Sequence, residues 1–341
     1  MKLTAHPVTL AASHGMFRIA RAEITSIENV VIEIEHDGVV GIGEAAPSIY
    51  YFGETAETVV KTVAAAGEIV GDDPFLIEDV TARLREAFPE APAAVCGIDL
   101  ALHDLVGKLL DVPLYRLLGL NPDRTPVTSF TIGIETPEVM AERAAAVTDF
   151  KVLKIKIGTR HDDAILSAIR DVTDLPLRVD ANIGWTKEEA VENINRIARY
   201  DIQFVEQPVV PGDNAALRWI RERVSLPIMS DESSLTLADL PGLVGCVDLV
   251  NVKLMKCGGI REALRMIGFA HAHGMGVMLG CMLETSIAIT AAAHLSPLVE
   301  YADLDGNYLI ANDPYEGVTL GDGRLILPDR PGLGVRERGG T

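Results

Sequence analysis

Cysteine is scarce. The 341 residues hold four, Cys96, Cys246, Cys257 and Cys281, and no two stand at C-x-x-C spacing. In a chain of this size they read as free thiols in a reducing compartment. Long apolar runs are also missing, and none approaches the roughly 18 residues that a spanning helix requires. The opening MKLTAHPVTLAASHGM carries one early lysine and too weak an apolar stretch for a secretory signal. A soluble, cytoplasmic protein is expected. Positive charge is in short supply, with 30 Lys+Arg against 49 Asp+Glu and a formal net charge of −19. Without a basic stripe, neither a nucleic-acid backbone nor an anionic membrane is an expected partner. The phosphate-cradling patterns G-x-G-x-x-G and G-x-x-x-x-G-K-[ST] do not occur.

What is present is apolar material. A hydrophobic fraction of 48% and a mean hydropathy of +0.22 supply a large core and argue against disorder. The first 118 or so residues contain two β-rich runs flanking Asp37-Gly38, a two-residue hairpin signal. Helical periodicity follows over 54–70, 74–87 and 92–110, which together make an α+β domain. From Thr125 strand and helix signals alternate. Strands are expected near 126–132, 152–157, 176–181, 202–206, 226–231, 247–253, 276–281 and 300–304, with helices such as 137–147, 187–199 and 259–273 between them. This is the rhythm of a parallel βα barrel, lean beside the ~250 residues typical of that fold. The rhythm breaks after 305, so the eighth helix is expected to be missing and the turn-rich tail to pack back on the first domain.

Charged residues end the barrel runs. Lys156, Asp180, Glu206, Asp231 and Lys253 follow one another at intervals of 24, 26, 25 and 22 residues. Parallel strands of a barrel deliver their carboxyl ends to one face, so these charges converge. Lys154 and Lys156 flank one apolar residue and share a strand face. A solvated edge strand also shows K-x-K, but this run belongs to a strand buried on both sides, where unpaired lysines are costly. Three carboxylates at one mouth repel unless a cation lies between them, and an oxygen-only set selects a hard ion such as Mg²⁺. The alternative is an internal salt-bridge cluster, which stabilises poorly relative to apolar packing.

Lys253 reaches the mouth from the strand opposite that of Lys156. A lysine titrates ordinarily near 10.4. A neighbouring ammonium and a nearby Mg²⁺ both depress it, which makes a general base plausible. Metal plus lysine suits removal of a proton α to a carboxylate, the cation stabilising the ene-diolate. Asp303 and Asp305 put two more acids at this end. They read either as a pocket for a substrate ammonium or as a surface turn ending in Gly306. His271 and His273 lie on the opposite face and read as structural, and Gly258-Gly259 reads as a tight βα turn.

The ordered set KIK, DAN, EQP, SDES and NVKLMKCGG resembles the enolase superfamily, muconate lactonizing subgroup, and within it the dipeptide epimerases. The likeness runs over essentially the whole chain. It implies an α/β fold, a modified TIM barrel (β/α)7β over 121–307. An N-terminal α+β capping domain over 1–120 would be completed by the tail, 308–341. It further implies one Mg²⁺ per subunit on Asp180, Glu206 and Asp231, with Lys156 and Lys253 as the acid/base pair. Lys154 would contact the substrate carboxylate beside Lys156, and Asp303 and Asp305 would grip an α-ammonium. Thr131, Cys281, Met282 and Leu283 would line the substrate pocket.

The implied reaction inverts the Cα of the C-terminal residue of an L-Ala-Xaa dipeptide. Muconate cycloisomerase, o-succinylbenzoate synthase and N-acylamino-acid racemase share the frame and are the alternatives. A fold retained only for binding is a third reading, but all six core charges are intact. Members acting on L-Ala-L-Glu place an arginine in the capping loop after its Phe. Aligned on Phe17 and Glu28-Asn29-Val30, that position falls on Ala22 or Ile24. Arg18 and Arg21 stand nearby and Glu23 has the opposite sign, so an apolar or basic second residue is plausible. A dipeptide is the expected small-molecule partner, copies of the chain in a homo-oligomer the expected protein partner, and peptidoglycan recycling the setting the family suggests.

Overall fold

The computed structural model describes residues 1–13, 15–19 and 22–339. Alternating apolar and polar residues build an antiparallel sheet from β1 (Lys2–Ala11), β4 (Ser26–His36) and β5 (Val39–Ala45), in the order β1-β4-β5. Asp37 and Gly38 join β4 to β5 with φ of 51° and 78°, as a two-residue turn with both central residues left-handed requires. A small hairpin, β2 (Phe17–Ile19) with β3 (Ala22–Ile24), projects between β1 and β4. Arg21 lies outside the described residues.

The helices α1 (Ala56–Ala65), α2 (Gly67–Val70), α3 (Ile77–Ala87) and α4 (Pro92–Leu109) follow, then the single turn α5 (Leu114–Leu117). The span expected as one helix over 54–70 is two, because Ala66 ends α1 before Gly67, a poor helix former, starts the next turn. Every residue of α4 from Pro92 to Gly107 is buried. Its backbone lies directly on β5, where a Cβ at Gly43 would stand 2.0 Å from the Gly97 carbonyl oxygen. The glycines of VVGIGEA permit that approach.

The barrel strands are β6 (Phe130–Ile132), β7 (Leu153–Lys156), β8 (Leu177–Asp180), β9 (Ile202–Glu206), β10 (Ile228–Ser230), β11 (Leu249–Lys253), β12 (Gly276–Gly280) and β13 (Tyr301–Asp303). All pair in parallel and in sequence order, and a bridge from Thr128 to Ala302 brings the ends nearly to closure. Each of the eight expected strands is present. The first is shorter than 126–132 because Val127 pairs instead with Arg324 of the tail. Between the strands run α6 (Pro137–Ala145), α7 (Asp162–Arg170), α8 (Lys187–Ile197), α9 (Asn214–Arg221), α10 (Leu240–Leu243), α11 (Leu254–Cys257), α12 (Ile260–Ala272) and α13 (Ser286–Leu295).

Among the described residues no long helix follows β13. The tail forms β14 (Tyr315–Glu316) with β17 (Arg336–Glu337), and β15 (Thr319–Gly321) with β16 (Arg324–Ile326). It touches the N-terminal part through Ala311 N–H to the Ala11 carbonyl, 2.8 Å, and Leu333 N–H to Asp104 Oδ1, 2.7 Å. No described helix is long and apolar enough to cross a membrane.

A plug of Phe204, Met229, Leu249 and Met278 fills the barrel below the mouth. Arg178 stacks its guanidinium 5.6 Å over Phe204 and 5.1 Å over Tyr301. Each of Arg178, Phe204, Met229 and Tyr301 stands two residues before a mouth carboxylate and so faces the same way.

Two stability measurements test this packing. Gly43→Ala forces a methyl into the Gly97 backbone and should cost about 1–3 kcal/mol in chemical denaturation. His294 is buried, donates Nε2–H to the Leu333 carbonyl at 3.0 Å, and is pushed down by burial to about 4. Its neutral form is favoured in the fold, so the stability it contributes is full above pH 6.5 and lost as pH falls toward 4. The loss is roughly 3 kcal/mol. Urea unfolding of the native protein and His294→Gln at pH 7 and pH 5 should show that this part of the slope belongs to His294.

Candidate active site

Side chains two residues apart on a strand share a face, and the last inward position of successive strands is charged. Lys156 ends β7, Asp180 ends β8, Glu206 ends β9, Asp231 follows β10, Lys253 ends β11 and Asp303 ends β13. One carboxylate oxygen from each of Asp180, Glu206 and Asp231 lies within 4.8 Å of the others, all three side chains being buried. The chain turns sharply beside these ligands. Asn182, Ile183 and Gln207 have φ of 44°, 62° and 35°. A β-branched residue such as Ile183 rarely takes that conformation, and such strain concentrates where the surroundings enforce a functional geometry. Here the Ile183 N–H donates to the Gln207 carbonyl at 2.8 Å.

Lysines fill the space between the acids. Lys154 Nζ stands 2.7 Å from Glu206 Oε2, 2.8 Å from Asp303 Oδ2 and 3.3 Å from Asp180 Oδ2. Burial tends to lower its pKa, but Asp303, Glu206 and Asp180 outweigh burial and hold it well above the usual lysine range. Lys156 Nζ donates to Asp180 Oδ2 at 2.6 Å, and Lys253 Nζ to Asp231 Oδ2 at 2.8 Å. Lys253 is likewise held up, the Asp231 charge overcoming burial. Strands β7 and β11 are four places apart in the ring of eight, so the two amino groups approach the mouth from opposite sides.

The carboxylates do not titrate alike. Burial works against ionisation of Asp231, yet Lys253 and Lys256 hold it below the ordinary range. Glu206 is pushed up to about 7 by burial and by its carboxylate neighbours, despite the Lys154 contact. Its Oε1 accepts from Asn251 Nδ2 at 2.7 Å, while Oε2 lacks an aligned hydrogen-bond donor. Three converging oxygens with one short of donors fit a hard divalent cation, and they offer neither sulfur nor nitrogen.

Asp303 and Asp305 differ in the same manner. Asp303 is fully engaged, with Ser129 Oγ on Oδ1 at 2.6 Å and Lys154 on Oδ2, and it lies below the usual range although burial opposes this. Asp305 accepts the Thr131 N–H on Oδ2 at 2.6 Å and the Cys281 thiol stands 3.9 Å from its Oδ1. Burial and the neighbouring Asp303 push it up to about 7.

Most of these groups, though not Asp180 or Glu206, form the floor of a 480 Å³ cavity. Thr131, Lys154, Lys156, Lys253, Cys281, Met282, Leu283, Asp303 and Asp305 all line it, along with Asp231. The outer wall is mostly apolar, from Phe17, Ile19, Ile24, Ile49 and Leu309, with Glu23, Glu28 and Glu54 among them. Arg18 is drawn aside to Glu23 at 2.8 Å and Glu135 at 3.8 Å. His271 pairs with Glu300 at 3.3 Å behind the barrel. Gly258 and Gly259 are left-handed turn residues, and a Cβ at Gly259 would collide with Asp99.

Sequence reasoning passed over several partners. Lys256 donates to Asp231 Oδ1 at 2.6 Å and to the Asp231 carbonyl at 2.7 Å. It stands three residues after Lys253, where α11 curls it back under the mouth. Gln207 accepts the Asp231 N–H at 2.9 Å, and Asn251 and Ser129 hold Glu206 and Asp303. Asn251 carried a readable signal, because it is two residues before Lys253 on one strand face.

Residues 4–119 match the mandelate racemase/muconate lactonizing enzyme N-terminal domain, and residues 139–338 match the enolase C-terminal domain-like family. An L-Ala-D/L-Glu epimerase of Bacteroides thetaiotaomicron is 43% identical over 99% of this chain and 88% of its own. A hydrophobic dipeptide epimerase of Enterococcus faecalis is 41% identical over 94% of each. The dipeptide epimerase crystal structure from E. faecalis, complexed with Mg and L-Leu-L-Tyr, superposes with a TM-score of 0.92. It is 38% identical and covers 98% of both chains.

The acid cluster generates a paired expectation for Glu206→Gln. In calorimetry with Mg²⁺ the variant should bind at least about tenfold more weakly than the native chain. At pH 8, without the ion, it should melt higher, because the charge that burial disfavours is gone.

Proposed function

The chain belongs to the enolase superfamily, and on that premise we propose that it is a Mg²⁺-dependent dipeptide epimerase. It would invert the Cα of the C-terminal residue of an L-Ala-Xaa dipeptide. The observation that carries this reading is the opposition of Lys156 and Lys253, each hydrogen-bonded to a different carboxylate of one buried cluster. In this reading Asp180, Glu206 and Asp231 hold the ion. Bound there, Mg²⁺ supplies electrostatic stabilisation of the negative charge that gathers on the substrate carboxylate as the α-proton leaves.

The chain's own groups do the rest. With a cation on Asp231 offsetting the charge that keeps Lys253 protonated, one of the two amino groups, in its neutral form, takes the α-proton from one face of Cα. The other, protonated, delivers a proton to the opposite face, and reversal of the roles runs the reaction backward. Both lysines are less than one-tenth exposed, which keeps bulk water from the carbon acid. Lys154, fixed by three carboxylates, places a positive charge beside the substrate carboxylate. Asp305 Oδ1 is the open acceptor for the dipeptide ammonium, and the Lys154 and Ser129 contacts of Asp303 shape that pocket. An ammonium acceptor has no use for muconate or an N-acylamino acid, which weighs against those rival substrates.

The apolar wall favours an apolar Xaa. Among the described lining residues the only cations are Lys154, Lys156 and Lys253, all on the floor. A glutamate side chain at the wall would meet Ile24 and the acids Glu23 and Glu28. We assign 1–120, completed by 308–341, to a capping domain that supplies most of the outer wall, and 121–307 to the barrel domain that carries the chemistry together with the Met282–Leu283 stretch of the wall. The four free cysteines accord with a cytoplasmic setting.

A dipeptide library incubated with Mg²⁺ in D₂O, read by mass, tests the assignment. One deuterium should enter L-Ala-L-Leu or similar peptides faster than L-Ala-L-Glu. Lys156→Ala and Lys253→Ala should each abolish epimerisation, and exchange persisting in both variants would refute the two-base scheme. Asp305→Asn should raise KM for dipeptides about tenfold or more.

A further inference from the structure

One buried constellation has no part in the chemistry above. Glu44, at the end of β5 and with 0% exposure, reaches from the N-terminal sheet into the barrel. It accepts from Thr285 N–H at 2.9 Å, Thr285 Oγ1 at 2.7 Å, Ala288 N–H at 3.2 Å and Asn29 Nδ2 at 2.8 Å. Glu44 therefore closes the N-terminus of α13, where first-turn amides lack partners within the helix and a negative charge is favoured. Every partner is a donor, so the group serves as a carboxylate. Burial pushes its pKa up, and the donated hydrogen bonds pull against burial.

The residues just before α13 are cavity wall. Met282 and Leu283 line it, Asn29 also donates to the Leu283 carbonyl at 3.0 Å, and Met282 N–H donates to Glu284 Oε1 at 2.8 Å. A second acid from the same domain performs the same bonding on the neighbouring helix. Asp99 on α4 accepts the Ile260 N–H at 2.6 Å, at the start of α12. The turn ahead of α12, Gly258-Gly259, does not line the cavity.

We propose that Glu44 is a positioning residue for substrate discrimination. By fixing the start of α13 it sets Met282 and Leu283 at the spacing from the β2–β3 hairpin that the substrate's second side chain fills. The proposal rests on the dipeptide-epimerase reading. Asp99 provides an internal comparison, with the same bond between the same two parts of the chain but no cavity wall attached.

The test is the kinetics of L-Ala-L-Leu and L-Ala-L-Ala epimerisation, with melting curves, for the native enzyme, Glu44→Gln and Asp99→Asn. Both variants should melt lower. Only Glu44→Gln should raise KM for L-Ala-L-Leu, by about tenfold with kcat changed less than about threefold, and lose its preference for leucine by a similar factor. Thr285→Ser, which keeps the hydroxyl, should stay near native, while Thr285→Val should follow Glu44→Gln. Equal changes in Glu44→Gln and Asp99→Asn, or an unchanged leucine preference, would overturn the proposal. Where Glu44→Gln fails to fold, the two Thr285 variants decide it, and identical preferences in both overturn it. A native enzyme that epimerises no dipeptide would refute the functional reading itself.

Discussion

The balance of charge around Lys154 is the constraint on which the rest of the mouth depends. A single ammonium, 2% exposed, is shared by Asp180, Glu206 and Asp303, and so joins the proposed ion site to the proposed substrate site. The lysines Lys154, Lys156, Lys253 and Lys256 face five acids, and the shortfall is not spread evenly. It collects on Glu206 and Asp305, the two carboxylates held near 7. Under the proposed function these are also the places to which the ion and the dipeptide each bring positive charge. Negative charge left short of partners in a buried cluster is a poor way to stabilise a fold and a direct way to prepare for cationic guests.

The local backbone follows from the same demand. A strand that ends in a buried carboxylate must turn at once, before the next residue runs into the mouth. Asn182 makes its turn in a left-handed conformation that asparagine tolerates, while Ile183 and Gln207 do so in conformations that side chains of their kind avoid. Hydrogen bonds between the adjacent loops hold them, and these loops lie where Asp180 and Glu206 must stay fixed.

The barrel was legible because its period is enforced twice, by the length of a βα unit and by a charge at the ends of six of the eight strands. The resemblance then named roles for those charges, and the structure brings Lys154, Lys156, Asp231 and Lys253 to one cavity floor, with Asp180 and Glu206 clustered beside Asp231. Other features could not be read because they depend on contacts between distant segments. Lys256 looks like an ordinary helical lysine until α11 folds it under Asp231. Glu44 reads as the last acid of a sheet edge, since its partner Thr285 is 241 residues away. The shortened β6 was equally hidden, because the tail competes for Val127. The unequal engagement of Asp303 and Asp305 depends on Ser129, whose neighbourhood in the sequence gives no sign of it.

Under the proposed function, the segments that touch the reacting carbon and those that enclose the side chain attached to it come from different parts of the chain. Strand ends, each braced by its neighbours, would own the proton transfer, whereas a short hairpin around Ile24 and one loop before α13 would own the enclosure. A lineage that exchanges a few wall residues can therefore acquire a new diet without having to reinvent the reaction, and descendants of one ancestor can diverge in what they consume while remaining chemically identical.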